Sequence, residues 1–219
     1  MPDIEHIKRE NTAAISNIIH KLDVINYETV SELLPTLLAT GQLKLDASVY
    51  TPADPTTIKA HGIGRHLVYE HPDQSNPLSI WVFALAPRQK TSIHDHKCDG
   101  TVTVLEGPVS EKTYETTEGN LVRRKHRTDR YRFHTNADKL NPKQDESTPK
   151  DGFIHQLKRR KELGEGTSIT LHIYKMEAHL VQEGLVVDNR NLNKVYTKDK
   201  SVLHCKEEYE ALHNPFQPR

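Results

Sequence analysis

The chain is poor in cysteine, in charge of one sign and in long apolar runs, and each lack narrows what it can do. Two cysteines, Cys98 and Cys205, are too few for a disulfide framework, which fits a reducing compartment. Thirty basic residues offset thirty acidic ones, so no net field draws the protein to nucleic acid or to an anionic membrane. No stretch approaches the ~20 apolar residues that a membrane-crossing helix needs. The start, "MPDIEHIKRE", lacks the apolar core of a secretory signal, and the expected compartment is the cytoplasm. There is no repeat of fixed period and no low-complexity tract. What is present is ordinary: 219 residues, 35% hydrophobic and 27% charged, enough for one domain over 1–219 with a core of its own.

The first forty-odd residues read as helical. Ile15, Ile18, Ile19, Leu22 and Ile25 recur at helical spacing, and "NYETVSELLPTLLATG" is a second amphipathic segment ending at Gly41. Residues 1–45 are therefore expected to pack as a helical segment on the main core. From Arg65 the pattern changes. Residues 65–70, 78–86, 101–106, 109–115, 121–124, 152–157 and 168–175 are short β-type runs separated by Gly, Pro, Asn and Asp clusters, the signature of an antiparallel sandwich or barrel. "NADKLNPKQDESTPKDG", from Asn136 to Gly152, reads as a long surface loop. The basic run "RRKHRTDRYRF" before it contains Tyr131 and Phe133, but no nucleic-acid-binding motif accompanies it, and it reads as a solvated strand or loop face.

The stretch "TSIHDHKCDGTVTVLEG" carries the chemistry. In a strand, residues i and i+2 share a face, so His94 and His96 project together as a two-point metal claw while Asp95 points the other way, where it would stiffen the turn. A bare His-x-His is common by chance in a chain with fourteen histidines; the residues after it set this one apart. The run "TVTVL" leads to Gly107, and the whole resembles the first signature of the cupin superfamily, while Gly152 and His155 in "DGFIHQL" resemble the second. The resemblance implies a mostly β fold, a cupin-type antiparallel β-barrel (jelly roll) with N-terminal helices and a barrel core over 60–176. It implies that His94, His96 and His155 hold a metal at the barrel mouth. Gly100 stands where most cupins carry a glutamate ligand, so the set lacks an anion unless Asp99 swings in. Three neutral imidazoles leave a divalent ion its full double charge and favour anionic outside ligands such as a thiolate or reduced oxygen species. Zinc accepts three histidines and a water as well, so the ligand set does not select the metal.

"GFIHQL" followed by "SITLHIY" is similar to the cysteine dioxygenase family of thiol dioxygenases, whose signature after the third ligand is a strand Ser-x-His-x-Tyr. Thr170, His172 and Tyr174 occupy those positions on one strand face, with Thr keeping the hydroxyl. "GRHLVYE" resembles the family's Arg-x-Leu-Val strand and makes Arg65 the group that grips a substrate carboxylate, through two parallel hydrogen bonds. The resemblance implies one Fe(II) per chain and an oxidation of the thiol of L-cysteine by O₂ to cysteine sulfinic acid. Tyr174, oriented through His172 and Thr170, would be catalytic and would also help hold the substrate. Members acting on 3-mercaptopropionate tend to have Gln at the arginine position, so Arg65 favours cysteine. In animal members a cysteine near this strand bonds to the active-site tyrosine; Gly100 stands at that position here, as in bacterial members, so no crosslink to Tyr174 is expected and Cys98 reads as a free loop thiol. The expected partners are a small thiol and O₂, with no nucleic acid and no membrane, and the expected state is a monomer or small homo-oligomer.

Two departures keep other substrates open: "KMEAHLV" after Tyr174 matches neither subgroup, and the 117–150 segment is long. Two other classes also stay open. One is a three-histidine cupin running a non-thiol reaction on zinc, nickel or iron; the other is a non-catalytic, ligand-sensing cupin with 123–132 as its contact surface. Trp81 reads as core, and His61, His66, His71, His126 and His134 read as structural.

Overall fold

A computed structural model describes residues 3–53, 63–91, 93–96, 98–117, 120–123, 132–140, 154–160, 164–181, 192–196 and 202–203. Two helices come first. Helix α1 (Ile4–Ile19) starts where the Asp3 carboxylate accepts the Glu5 N–H, and α2 (Tyr27–Ala39) where the Asn26 side chain accepts the Thr29 N–H. Each cap satisfies a backbone donor that the first turn leaves without a partner. The apolar stripe of the sequence lands inward, with Ile15 and Ile19 of α1 and Val30 and Leu34 of α2 fully buried.

Among the described residues twelve strands come after the helices: β1 (Ile63–Glu70), β2 (Ser79–Leu85), β3 (Ile93–His96), β4 (Gly100–Glu106), β5 (Val109–Thr117), β6 (Asn120–Arg123), β7 (Arg132–His134), β8 (Lys139–Leu140), β9 (Ile154–Lys158), β10 (Ser168–Tyr174), β11 (Leu192–Tyr196) and β12 (Val202–Leu203). They form two antiparallel sheets. One runs β1-β2-β10-β4-β8, the other β12-β11-β3-β9-β5-β6, with β7 also paired to β5. Their inner faces meet where Val102 and Val104 of the first sheet pack on Val109 and Leu157 of the second. This arrangement is consistent with the cupin expectation. Among the described residues no ladder joins a strand of one sheet to a strand of the other, so a closed barrel is not shown.

Strands β2 and β10 are buried along their whole length because both faces are covered. Ile80, Val82, Ala84, Ile169, Leu171 and Ile173 pack against the helices, in one core with Ile15, Ile19, Val30 and Leu34. At ~1.5–3 kcal/mol for each fully buried large apolar side chain, this layer is a main source of stability. The opposite face carries Trp81, Phe83, Thr170, His172 and Tyr174, turned toward the second sheet. The β4–β5 turn is tight against β10: Gly107 has φ +73°, and a Cβ there would sit 2.9 Å from the Thr167 carbonyl oxygen.

One sequence reading changes. The loop expected over Asn136–Gly152 begins with a short strand, β8, paired to Val102 and Thr103; residues 141–153, including Gly152, lie outside the described residues. The region after about 178, which carries no motif, contributes β11 and β12, and β11 pairs directly with the histidine strand β3. Of the basic run, Arg123 lies in β6 and Arg132 and Phe133 in β7; residues 124–131 lie outside the described residues, as do His61, His126 and Cys205.

Candidate metal centre

The first two candidate ligands share one face of β3 by the period of two, and β9 is the next strand in the sheet, with His155 opposite His94. The far edge of β3 is covered by β11, where Val195 opposes His94 and Leu192 opposes His96. Pairing on both sides fixes β3 despite its four-residue length. The three rings then converge: His94 Nε2 lies 3.1 Å from His96 Nε2, and His96 Nε2 lies 3.2 Å from His155 Nε2. His94 and His155 are buried, and His96 is partly so.

These contacts fit a metal ion better than they fit each other. Burial first, then the neighbouring His94, His155 and His172, holds His96 well below the usual histidine range, so its imidazole is neutral. Its Nε2 faces the Nε2 atoms of both neighbours, a crowding of nitrogens that a cation relieves. The two separations through His96 match as well, and the three ligand atoms all lie within 4.8 Å of one another. Two nitrogens about 2.1 Å from one ion are roughly 3.0 Å apart at a right angle and roughly 3.4 Å apart at the tetrahedral angle. Glu111 Oε1 accepts from His155 Nδ1 at 3.0 Å, which fixes the tautomer and turns the Nε2 lone pair toward the other two rings. His94, His96 and His155 are therefore a group that can hold a metal.

The first sheet faces this group with a hydrogen-bonded chain. Thr170 Oγ1 is 2.8 Å from His172 Nε2, and His172 Nδ1 is 3.0 Å from Tyr174 Oη, all buried and at alternate positions of β10. The Tyr174 ring is 5.8 Å from the His96 ring, centroid to centroid, so the chain ends beside the histidines. Burial, then the charges of His155 and Arg65, drives His172 well below its usual range and keeps it neutral. Burial also drives the Tyr174 phenol up, more than the nearby Arg65 brings it down, so the tyrosine keeps its proton.

Arg65 belongs to the same layer. It opposes Phe83, its guanidinium lies 5.2 Å from the Phe83 ring centre, and Phe83 stacks on His172 at 4.0 Å. Asp99, the carboxylate expected to swing in if the site takes a protein anion, is exposed. Cys98 packs against the cluster that holds Trp81, Tyr174 and Met176; burial and the Asp99 carboxylate push its thiol up to about 12. Gly100 is tight against the tyrosine: a Cβ would sit 3.1 Å from Tyr174 Cδ1. Of the histidines read as structural, His66 bonds the Thr51 carbonyl and His71 bonds Tyr69.

Sequence reasoning missed Glu111 and Phe83. The signal for Glu111 was present, because Val109, Glu111 and Thr113 share one face of a strand by alternation, and an inward carboxylate beside a buried valine calls for a partner.

No family model matches the chain, and no curated protein matches it. Solved structures similar to it in part include two named as cupins. A cupin superfamily protein from Desulfitobacterium hafniense is 15% identical, over 60% of this chain and 87% of that one, with a TM-score of 0.36. KdgF from Halomonas sp. is 14% identical, over 60% and 93%, at 0.37. An oxalate oxidase in complex with the substrate analogue glycolate is 12% identical, at 0.38, over 57% of this chain and just 56% of that one. Likenesses this distant carry no argument about chemistry, and the function is read from the residues themselves.

Proposed function

We propose that this chain is a thiol dioxygenase that holds one Fe(II) on His94, His96 and His155 and oxidises a small thiol carboxylic acid, L-cysteine, to its sulfinic acid. The observation that carries the reading is the Thr170–His172–Tyr174 chain ending 5.8 Å from the His96 ring, with Arg65 in the same layer. Bound iron would supply an electrophilic site that favours the thiolate and a redox partner for O₂. The overall change takes up one O₂ per thiol and converts the S–H group to a sulfinic acid, with both oxygen atoms on sulfur.

The protein's own groups have definable tasks. Arg65 pairs with the substrate carboxylate through its two-pronged guanidinium, and its position over Phe83 limits how far it can swing. Thr170 Oγ1 lies 3.5 Å from the Phe83 carbonyl, to which it can only donate, and 2.8 Å from His172 Nε2, where the direction follows the tautomer of the ring. With its proton on Nδ1, His172 donates to Tyr174 Oη and leaves the phenolic O–H free to point toward the histidines. Tyr174 is thus a held proton donor for an oxygen or carboxylate of the bound reactants. Trp81 and Phe83, nearly fully buried on the same face, give the site apolar walls that keep water from competing.

The test is oxygen uptake by the iron-loaded protein with L-cysteine, 3-mercaptopropionate and cysteamine offered separately. Uptake with cysteine that yields a sulfinate and falls in Arg65→Ala is the expected result. Uptake with mercaptopropionate alone would keep the reaction and overturn the reading of Arg65. No uptake with any thiol would remove the dioxygenase assignment.

A further inference from the structure

The three histidines bring no negative charge to the ion they would hold. Gly100 occupies the place of the usual carboxylate, with its Cβ position pressed against Tyr174, and Asp99 is exposed. We propose that Glu111 supplies the missing charge through His155, so that the centre is built from three imidazoles and one carboxylate held a hydrogen bond further out. The inference rests on the three histidines holding a metal and does not depend on the thiol chemistry.

The geometry is that of a built contact. Glu111 Oε1 and His155 Nδ1 are 3.0 Å apart, and the two side chains are 8% and 3% exposed. Glu111 is on β5, where Thr113 opposes His155 and Glu111 opposes Leu157, so Glu111 and His155 are diagonal neighbours on the inner face. The surroundings on that face are apolar: Val109, one inward position before Glu111, packs with Val102, Val104 and Leu157. A buried carboxylate carries a desolvation cost. A cation on the far side of His155 offsets it well, because the ring passes the polarisation from Nε2 to Nδ1–H.

The contact acts on this centre in three ways. The carboxylate locks the Nδ1–H tautomer, so His155 presents its lone pair before any metal arrives. It makes His155 a stronger electron donor, which strengthens the third ligand. It also lowers the charge of the loaded centre from two positive to one. Glu111 is a positioning residue: it touches a ligand and not the reacting atoms.

The test uses Co(II) as the probe. Metal-free wild type, Glu111→Gln and Glu111→Ala are titrated with Co(II) against a competing chelator, the visible cobalt absorption is recorded, and the melting of each metal-free protein is measured. Glu111→Ala is expected to bind Co(II) roughly 10- to 100-fold more weakly. Glu111→Gln keeps the shape, loses the charge and can turn an amide N–H toward Nδ1; it is expected to weaken binding and shift the cobalt bands while the metal-free protein melts no lower than wild type. That pattern separates a role at the metal from a role in folding, and Glu111→Gln keeps the test valid if the alanine variant does not fold. Wild-type affinity and an unchanged cobalt spectrum in Glu111→Gln would overturn the inference. Failure of wild type to bind Co(II) would instead overturn the metal-centre reading and take the role of Glu111 with it.

Discussion

Strand β10 presents two different faces. Ile169, Leu171 and Ile173 lie in the helix-covered core, and Thr170, His172 and Tyr174 form a hydrogen-bonded chain on the side of the three histidines. Both faces are buried, so exposure does not distinguish them. One face is apolar and contributes by area; the other is polar and tolerable only because each group has a partner. The contrast teaches that fold stability and chemistry run along the same seven residues and can be perturbed separately. The helices α1 and α2 hold the site indirectly, by covering the back of its strand.

Substitutions can break this division, and they rank by size. The largest effect is expected from His96→Ala, which removes the central member of the histidine group: iron content after desalting should fall to background and turnover with it, with little change in melting of the metal-free chain. Leu171→Ala, on the other face, should cost roughly 2–5 kcal/mol in urea unfolding while leaving metal stoichiometry intact. If it also abolished metal binding under folding conditions, the two faces would not be separable. Tyr174→Phe should retain iron and lower turnover by roughly 100-fold, because the proton donor is gone and the ring remains. Thr170→Val should lower turnover only about fivefold, since it removes one hydrogen bond at the far end of the chain. The smallest effect is expected from Lys175→Ala, which removes the exposed 2.7 Å ion pair with Glu28 of α2; neither melting temperature nor turnover should move measurably.

The sequence made some of these features legible for physical reasons. The strand period places His94 with His96, and Thr170 with His172 and Tyr174, on shared faces, because alternation is a property of the backbone and needs no partner strand to be read. The helical stripe was readable in the same way as far as Ile19; Leu22 and Ile25, read with it, lie beyond the end of α1. What could not be read depends on pairing between distant segments. Strands β8 and β12 have two residues each, too few for any alternation, and β11 lies in the polar run "NRNLNKVYTKDK" and is defined by its pairing to β3. Glu111 was readable in principle from its phase with Val109. Its partner was not, since contact with His155 requires knowing that β5 and β9 are neighbours in register.

The most direct measurement of the central claim is the mass of the product formed by the iron-loaded protein from L-cysteine under isotopically labelled O₂. The proposed chemistry predicts a sulfinic acid carrying both labelled atoms, one O₂ consumed per thiol, with no product from the His96→Ala protein. A product with label taken from water, or no oxygen consumption with cysteine or any other small thiol, would contradict it and require another reaction at the three histidines.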